Sequence, residues 1–530
     1  MSLRARLVTA ALVAVGLAFD PGAANASTAR WVLALALGVV LLALGIGAGT
    51  PVRLPLGSVL ALLVLGWLGL SLAWSTQPAD GAVEVASWLG VLLAGLGVAQ
   101  LAERRRVVEA TASVLVTVTA AIALGQWLAG ARGIAVHGGL GNPNWLGISL
   151  MVGLPLVTRR RVGWVVWGLG LCALALSASR SAWLGAVVGF PLLLPRRLRL
   201  PAWILGGVGA VAVIGWSQDG ALEGRWWIWR HALAAWREAP LLGHGAGSFA
   251  PAWLAAQGRS LAALPLDEAS HRFLFPRTAH EDWLELAVSG GAVALALGMA
   301  AGLGALASSW RRFRAGSASL LGLGVAMLGD AALHQPMAVL FASVILASGT
   351  PLRRGRAVAP LRLALVTAGA LALPGLGLGW LAERRARAAA ERPPDERVAL
   401  LEAAHRLAPE RAAITFELGL AELSLGDAEA ALTYFDAAPV PDVGRDVARG
   451  NALVALDRLE AAVASYRAAL ATHPASFAAH LNLAEALRRL GKLDEASHSL
   501  AQAAELQPHH PKLAPIRESL RRARIEADTR

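Results

Sequence analysis

The stretch LALSASRSAWLGAVVGF, residues 174–190, places a polar break of four or five residues between two apolar runs. Arg180 lies inside this break, with serines on both sides. A charged side chain at the edge of a membrane is costly without a partner, so intramembrane arginines are functional candidates. A snorkelling arginine at the interface is the simpler interpretation of Arg180, and an anion-binding arginine is the alternative.

The apolar runs on either side of this break belong to a longer series. The chain has 530 residues, 56% of them hydrophobic, and a mean hydropathy of +0.54, which exceeds the needs of a soluble core. We therefore predict a polytopic, all-α membrane bundle of about twelve or thirteen transmembrane helices. The apolar segments lie near 7–19, 31–49, 55–74, 83–102, 107–129, 144–158, 163–177, 182–194, 201–216, 283–308, 316–333, 337–350 and 361–381.

The formal charge of +12 does not indicate a nucleic-acid-binding protein. Arginine is concentrated in short loops between apolar segments, which is typical of topology signals rather than of one basic soluble face. The single cysteine, Cys172, lies within an apolar segment and excludes a disulfide framework or a cysteine-based metal site. No cofactor or metal is predicted.

The arginine clusters fall in alternate loops, so these loops are predicted to face the cytoplasm. The clusters are Arg4 and Arg6, Arg53, Arg104 to Arg106, Arg159 to Arg161, Arg196 with Arg197 and Arg199, Arg311 with Arg312 and Arg314, and Arg353 with Arg354 and Arg356. The intervening loops are then predicted to face outward, at 20–30, 75–82, 130–143, 178–181, 217–282 and 334–336. Cleavage of the first segment as a signal peptide after Ala24-Asn25-Ala26 would not change this orientation. Arg384, Arg385 and Arg387, just past the last span, are the discordant cluster.

The C-terminal part of the chain is a repeat module. GDAEAA, DRLEAA and GKLDEA begin at residues 426, 457 and 491, so successive units are 31 and 34 residues long, which is the tetratricopeptide (TPR) period. We predict a membrane domain over 1–381, with a large outward loop at 217–282, and an outward TPR solenoid over 382–530. Such a solenoid binds a partner protein, or serves only to stabilise the chain or to form oligomers.

The outward loop at 217–282 carries two further candidates. Arg225 precedes an aromatic helical face of Trp226, Trp229 and Trp236, which is typical of a helix lying in the membrane interface. A guanidinium near a helix N-terminus suits an anionic group such as a diphosphate. His280 lies at the end of the loop, where an imidazole can act as a general base near neutral pH.

Other polar residues are weaker candidates. Glu281 and Asp282 follow His280 and could orient it, although a loop histidine beside two carboxylates is more often a solvated cluster. In a second outward turn, His137, Asn142 and Asn144 could bind sugar hydroxyls, or Asn144 could cap the following helix. Asp330, His334 and Gln335 cluster at a short hairpin between two late spans. We predict that Asp330 and His334 bind substrate.

Four segments together resemble the O-antigen ligase and polymerase family of bacterial envelope glycosyltransferases. They are GLGNPNWLG (139–147), LALSASRSAWLG (174–185), GRWWIWRHALAAWREAPLLGHGAGSF (224–249) and AHEDWLELAVSGG (279–291). The resemblance implies a GT-C-like membrane transferase with a polyprenyl-diphosphate-linked glycan donor on the periplasmic side of the bacterial inner membrane. It implies that Arg180 and Arg225 engage the diphosphate and that His280 activates the acceptor hydroxyl, without a metal. Relatives often have Asn or Ser where this chain has Glu281.

The resemblance leaves the acceptor open. A ligase, a repeat-unit polymerase and a protein O-oligosaccharyltransferase all fit, with a lipid, a glycan or a protein as the acceptor. The predicted outward repeats favour a protein acceptor or a protein partner. Outside the enzyme class, a lipid-linked oligosaccharide transporter would also have many helices, but its charges should follow a transmembrane path rather than one face.

Overall fold

The computed structural model describes residues 1–18, 28–44, 54, 56–158, 161–216, 221–276, 278–310, 313–348, 359–438 and 443–528. Within these ranges the chain is mostly α-helical and contains no β-strand, which confirms the all-α fold class. The α-helices are α1 (Leu3–Leu17), α2 (Thr28–Ala43), α3 (Leu56–Ser71), α4 (Pro78–Ala99), α5 (Arg104–Leu128), α6 (Pro143–Gly153), α7 (Arg161–Leu176), α8 (Arg180–Gly189), α9 (Arg196–Trp216), α10 (Ala221–Glu238), α11 (Phe249–Leu261), α12 (Leu266–Arg272), α13 (Asp282–Trp310), α14 (Arg314–Ala326), α15 (Pro336–Ser348), α16 (Ala359–Ala389), α17 (Pro394–Leu407), α18 (Ala412–Leu425), α19 (Ala428–Ala437), α20 (Val443–Ala455), α21 (Leu459–Thr472), α22 (Phe477–Arg489), α23 (Leu493–Leu506) and α24 (Leu513–Asp528).

Short 3₁₀ segments extend or link several of these helices. They lie at Leu72–Trp74, Gly133–Ala135, Leu154–Leu156, Phe190–Leu193 and Ala332–His334.

Among the described residues, five helices are long and apolar enough to cross a membrane. They are Leu56–Trp74, Pro78–Ala99, Arg104–Leu128, Asp282–Trp310 and Pro360–Ala389, and each coincides with an apolar segment of the sequence. Shorter apolar helices lie at Thr28–Ala43, Val162–Leu176, Arg180–Leu193 and Pro336–Leu346. These helices have few charged residues and many apolar side chains facing outward, as a lipid environment requires.

Part of the orientation argument concerns residues outside the described ranges. The cleavage-site pattern Ala24-Asn25-Ala26 lies there, as does the start of the long outward loop at Ser217. So do eight of the counted arginines, namely Arg53, Arg159, Arg160, Arg311, Arg312, Arg353, Arg354 and Arg356.

The chain divides into two compact units, of which the first holds residues 1–230, 239–247 and 278–380. Within it, α8 packs against α14 with almost no side chain between the two backbones. A Cβ atom on Gly185 would lie 2.5 Å from the carbonyl oxygen of Gly322, and one on Gly189 would meet the carbonyl oxygen of Ala318. This antiparallel contact places the start of α8 beside the end of α14.

The second unit holds residues 231–238, 248–277 and 381–530, and its repeats stack as helix pairs. Two glycines lie at close approaches between paired helices, since Gly419 packs on the Phe435 ring and Gly450 on the Tyr466 ring. A Cβ on Gly419 would lie 2.6 Å from that ring, so a larger residue would separate the paired helices.

The second unit also contains helices from the long loop, which sequence reasoning missed. Helix α11 packs on α21, and α12 packs on α23. Gly258 lies so close to α21 that a Cβ would be 2.6 Å from the carbonyl oxygen of Ala471. The Phe273 ring stacks on His473 with ring centroids 3.7 Å apart. Part of the long loop is therefore a packed component of the repeat unit.

Candidate functional site

Three of the four predicted motifs converge on the turn between α14 and α15, residues 327–335, which we call the central turn. Ser181 donates its hydroxyl to Asp330 Oδ2 at 3.1 Å. Arg225 Nη1 donates to the carbonyl oxygen of Gly329 at 2.7 Å. Asp282 N donates to the Met327 carbonyl oxygen at 3.0 Å. Three segments that are far apart in the sequence thus contact the same turn.

Arg180 is the first residue of α8, where Ser179 forms the N-cap and accepts a hydrogen bond from Ala182 N at 3.4 Å. Its neighbour Ser181 is the residue that bonds to Asp330, so the backbone beneath Arg180 is fixed to the central turn. The Arg180 side chain is partly buried and makes no hydrogen bond or ion pair with any described residue. Its guanidinium therefore has its donors available for a ligand.

Arg225 lies in the second turn of α10 and is partly buried. Only Nη1 has a hydrogen-bond partner among the described residues, and that partner is the Gly329 carbonyl. This single bond orients the guanidinium while leaving several of its five donors without a described partner. Trp226, the next residue, is 67% exposed, which suits the interfacial anchoring predicted for this helix.

His280 is held in an unusual backbone conformation, with φ +50°. The residues around it are fixed, because Ala279 N donates to Glu285 Oε2 at 2.9 Å and Leu284 N donates to the Glu281 carboxylate. The imidazole itself is exposed and has no partner among the described residues. A left-handed non-glycine residue costs of order 1–3 kcal/mol, and such strain is concentrated at functional sites. The conformation therefore supports a role for His280.

Neither Glu281 nor Asp282 forms a hydrogen bond with His280, so neither orients the imidazole in this way. The Glu281 carboxylate accepts from the backbone at the start of α13, and burial raises the pKa of this carboxyl to about 7. Asp282 is only 3% exposed, and its Oδ2 accepts from Leu333 N at 3.0 Å. Both residues shape the end of the loop, and their predicted contact with substrate stays a prediction.

A buried ionic cluster supports the other side of the central turn. His334 Nε2 lies 2.8 Å from Glu285 Oε1, and Glu84 and Asp282 line the same small cavity of about 10 Å³. The ligand atoms of Glu84, Glu285 and His334 lie within 4.8 Å of one another, a grouping that can hold a cation. Sequence reasoning missed Glu84 and Glu285. The signal available was an acidic residue near the end of an apolar span.

The charge state of His334 determines whether its contact with Glu285 is an ion pair. Burial lowers the pKa of His334, but the Glu285 carboxylate, with Glu84 and Asp282, offsets this and raises the pKa to about 10. The contact between His334 and Glu285 is therefore an ion pair that fixes the central turn.

The raised pKa of His334 predicts a dependence of stability on pH. A histidine with a folded-state pKa of about 10 and an unfolded value of 6.5 stabilises the fold fully below pH 6.5, and this contribution is lost as the pH rises towards 10. Thermal unfolding in detergent should therefore show a melting temperature that falls between pH 7 and 10. In His334→Asn the fall should be smaller. An equal slope in both proteins would contradict this assignment.

The GNPN turn corrects one expectation. The helix cap is Asn142, whose side chain accepts from Asn144 N at 2.7 Å, and not Asn144. Pro143 takes the first helical position, where its lack of an N–H is harmless, so the cap is the residue before it, Asn142. His137 lies 3.3 Å from Gln126 Nε2 and accepts from Gly141 N at 3.3 Å, which fixes the turn rather than leaving the ring free.

This turn is nevertheless close to the start of α8. A Cβ on Gly147, in α6, would lie 2.7 Å from Ser177 Oγ and from Ser179 Cβ. Arg30, which is fully buried, donates from Nη2 to the Gly139 carbonyl oxygen at 3.1 Å. Sequence reasoning missed Arg30, because it read that segment only as the end of an outward loop.

Comparisons with known proteins agree with this two-part organisation. Residues 146–299 match the family model described as O-antigen ligase, and residues 447–511 match that of the tetratricopeptide repeat. The chain thus combines a region that matches the O-antigen ligase family with a region that matches TPR repeats, which confirms the predicted resemblance. The match covers Arg180, Arg225 and His280 and supports a glycan-ligating function in the membrane.

No curated protein matches the chain. One similar solved structure is titled "Crystal structure of APC/C hetero-tetramer Cut9-Hcn1". The two sequences are 14% identical, the match covers 83% of this chain and 76% of that chain, and the TM-score is 0.25.

Proposed function

We propose that this protein is a membrane glycosyltransferase of the bacterial inner membrane. It moves a glycan from a polyprenyl-diphosphate-linked donor to an acceptor hydroxyl on the periplasmic face. The observation that carries the proposal is the arrangement around the central turn. Arg180 precedes Ser181, which bonds to the turn, and Arg225 bonds to the turn directly; both guanidinium groups have unused donors. The exposed His280 lies two residues before Asp282, which is bonded to the same turn.

The chemistry follows from these three side chains. His280 takes the proton of the acceptor hydroxyl, and the oxygen attacks the anomeric carbon of the donor sugar. The bond between that carbon and the diphosphate oxygen breaks, and the electron pair leaves with the diphosphate. Arg180 and Arg225 stabilise the negative charge that develops on this leaving group. Direct displacement inverts the anomeric centre, and no metal takes part in the proposed step.

The function can be tested with purified full-length protein in proteoliposomes that contain a polyprenyl-diphosphate-linked oligosaccharide. Transfer should release polyprenyl diphosphate and give a product with inverted anomeric configuration. Lipid-linked polymer accumulating in a deletion strain indicates a ligase, whereas accumulated single repeat units indicate a polymerase. Movement of the donor across the bilayer without release of polyprenyl diphosphate would instead indicate a transporter.

A protein O-oligosaccharyltransferase is the second candidate. Helix α11 of the long loop packs on repeat helix α21, and α12 packs on α23. The loop that precedes His280 is therefore packed on a helical repeat module, a class of module that commonly binds proteins. A repeat module of this kind suits a protein acceptor. Loss of glycan from exported proteins in the deletion strain would favour this activity over a lipid acceptor.

The periplasmic location of the repeats yields a separate prediction. Cys172 is the sole cysteine, so a Cys172→Ser background allows single-site labelling. Glu460→Cys, at an exposed position of α21, should react with a membrane-impermeant maleimide in intact spheroplasts. Arg197→Cys, in a loop predicted to be cytoplasmic, should react only after the membrane is permeabilised. Protection of residue 460 in intact spheroplasts would place the repeats in the cytoplasm.

A further inference from the structure

A cavity at the far end of α8 from Arg180 is not used by the proposed reaction. Helix α8 and the following 3₁₀ segment separate the two ends by roughly 20 Å at the usual helical rise. The cavity has a volume of about 410 Å³ and is lined by Leu192, Arg196, Arg199, Trp310, Arg314 and Ser317. Three of these described lining residues are arginines, and none is acidic.

The three arginines come from the starts of two separate helices, Arg196 and Arg199 from the first turn of α9 and Arg314 from the first residue of α14. Arg196 and Arg314 are exposed and make no hydrogen bond or ion pair with a described residue. Arg199 donates from Nε to the Leu194 carbonyl oxygen at 3.1 Å, which holds the side chain in place. Its Nη2 is buried and has no described partner. The positive-inside rule explains why arginines lie on one side of a membrane, but it does not explain why three of them line the same cavity.

Such an arrangement favours an anion. Three guanidinium groups around one cavity repel each other, and a phosphoryl group relieves this repulsion through charge-assisted, bidentate hydrogen bonds. The buried Nη2 of Arg199 gains the partner it lacks. Ser317 and Trp310 supply a hydroxyl and an indole at the same cavity, although Ser317 Oγ already lies 3.0 Å from Ser309 Oγ.

An apolar groove indicates the source of the phosphoryl group. The 3₁₀ segment that supplies Leu192 to the cavity also supplies Pro191 and Leu193 to a groove of about 340 Å³. Trp164, Trp167 and Phe190 are among the other residues lining this groove, whose lining is almost entirely apolar. A phospholipid has an anionic headgroup that fits the cavity and acyl chains that fit the groove, whereas free phosphate has no apolar part to bind in the groove.

We propose that Arg196, Arg199 and Arg314 form a binding site for the headgroup of an anionic phospholipid, with its acyl chain along the groove at Trp164 and Phe190. The position of these arginines, opposite the predicted outward turns, assigns the lipid to the cytoplasmic leaflet, where juxtamembrane arginines attract anionic lipid. The site is independent of the proposed donor-binding arginines.

The test uses full-length protein purified in neutral detergent and native mass spectrometry with phosphatidylglycerol as the probe. The variant Arg196→Gln/Arg199→Gln/Arg314→Gln should bind phosphatidylglycerol at least about tenfold more weakly than the wild type, which corresponds to about 1.4 kcal/mol. The control Arg4→Gln/Arg6→Gln/Arg197→Gln removes the same number of charges outside the cavity and should keep wild-type affinity. Phosphatidylcholine should bind neither protein specifically.

Other outcomes overturn the proposal. Equal affinity in wild type and cavity variant, or equal loss in the control, would show that these arginines form no specific site. Displacement of phosphatidylglycerol by inorganic phosphate at matched concentration would identify a free-phosphate site instead of a lipid site. If the triple cavity variant fails to insert, Arg199→Gln and Arg314→Gln are compared singly with Arg197→Gln. Each should lower the affinity about threefold, and no difference would refute the site. Lipid binding needs no glycan transfer, so this result is separate from the test of the transferase.

Discussion

His280→Asn is expected to lower the rate of glycan transfer by about 10²–10⁴-fold, which is the usual contribution of a general base. Asparagine tolerates the left-handed backbone that His280 adopts at φ +50°, so this substitution removes the base with little added strain. The Ala279 and Glu281 contacts on either side involve backbone and neighbouring side chains and should persist. The loss should therefore appear in kcat, with donor affinity nearly unchanged.

The matched control is His271→Asn. His271 is an exposed histidine in α12 of the same loop, and its contact is local, between Nδ1 and the Asp267 carbonyl oxygen at 2.7 Å. Transfer by this variant should match the wild type. Wild-type activity in His280→Asn, measured as release of polyprenyl diphosphate in proteoliposomes, would remove the proposed base and leave the reaction without a proton acceptor.

The pH profile offers a second check on the same residue. A general base acts only in its deprotonated form, so an activity that depends on one rises with pH on the acid side of the profile. Burial raises the pKa of Glu281 to about 7, so the titration of this carboxyl contributes to that acid limb. Glu281→Gln should alter the shape of the acid limb while retaining activity, because its carboxylate contacts the α13 backbone rather than the imidazole.

Much of the fold could be predicted because its signals are local. Apolar runs of span length and repeats at 31 and 34 residues depend only on neighbours in the sequence. Arginine alternation predicts that the segments carrying Arg180, Arg225 and His280 lie on one face of the membrane. It predicts neither the turn that these segments contact nor the atoms that meet there.

Contacts between distant segments could not be predicted in this way. Glu84 joins His334 only because α4 and α15 pack together, and neither sequence segment carries a motif for that pairing. The packing of Gly258 against Ala471 likewise depends on the fold, because a single glycine in a loop helix does not indicate which segment approaches it. Even the local cap of α6 was misplaced by two residues, since proline at the first helical position moved it to Asn142.

Arg180→Gln and Arg225→Gln are each expected to reduce kcat by about 10²–10³-fold, the usual cost of removing one donor that stabilises developing charge. Glutamine keeps a polar side chain of similar length but has no positive charge for the diphosphate. Arg180→Lys and Arg225→Lys should recover only part of the rate, because lysine lacks the bidentate fork. Arg230→Gln, at an exposed position five residues further along α10, should leave transfer unchanged.

The double variant tests whether the two arginines share one ligand. Two residues that stabilise the same diphosphate act as a unit, so the combined loss should fall short of the product of the two single losses by at least about tenfold. If the two positions acted independently, the two losses in kcat would multiply. Arg225 also bonds to Gly329, so its variant needs a stability measurement, and a melting temperature near that of the wild type would assign the loss to chemistry. Fully multiplicative losses, or a change only in acceptor affinity, would place the two guanidinium groups at different sites and contradict the proposed leaving-group stabilisation.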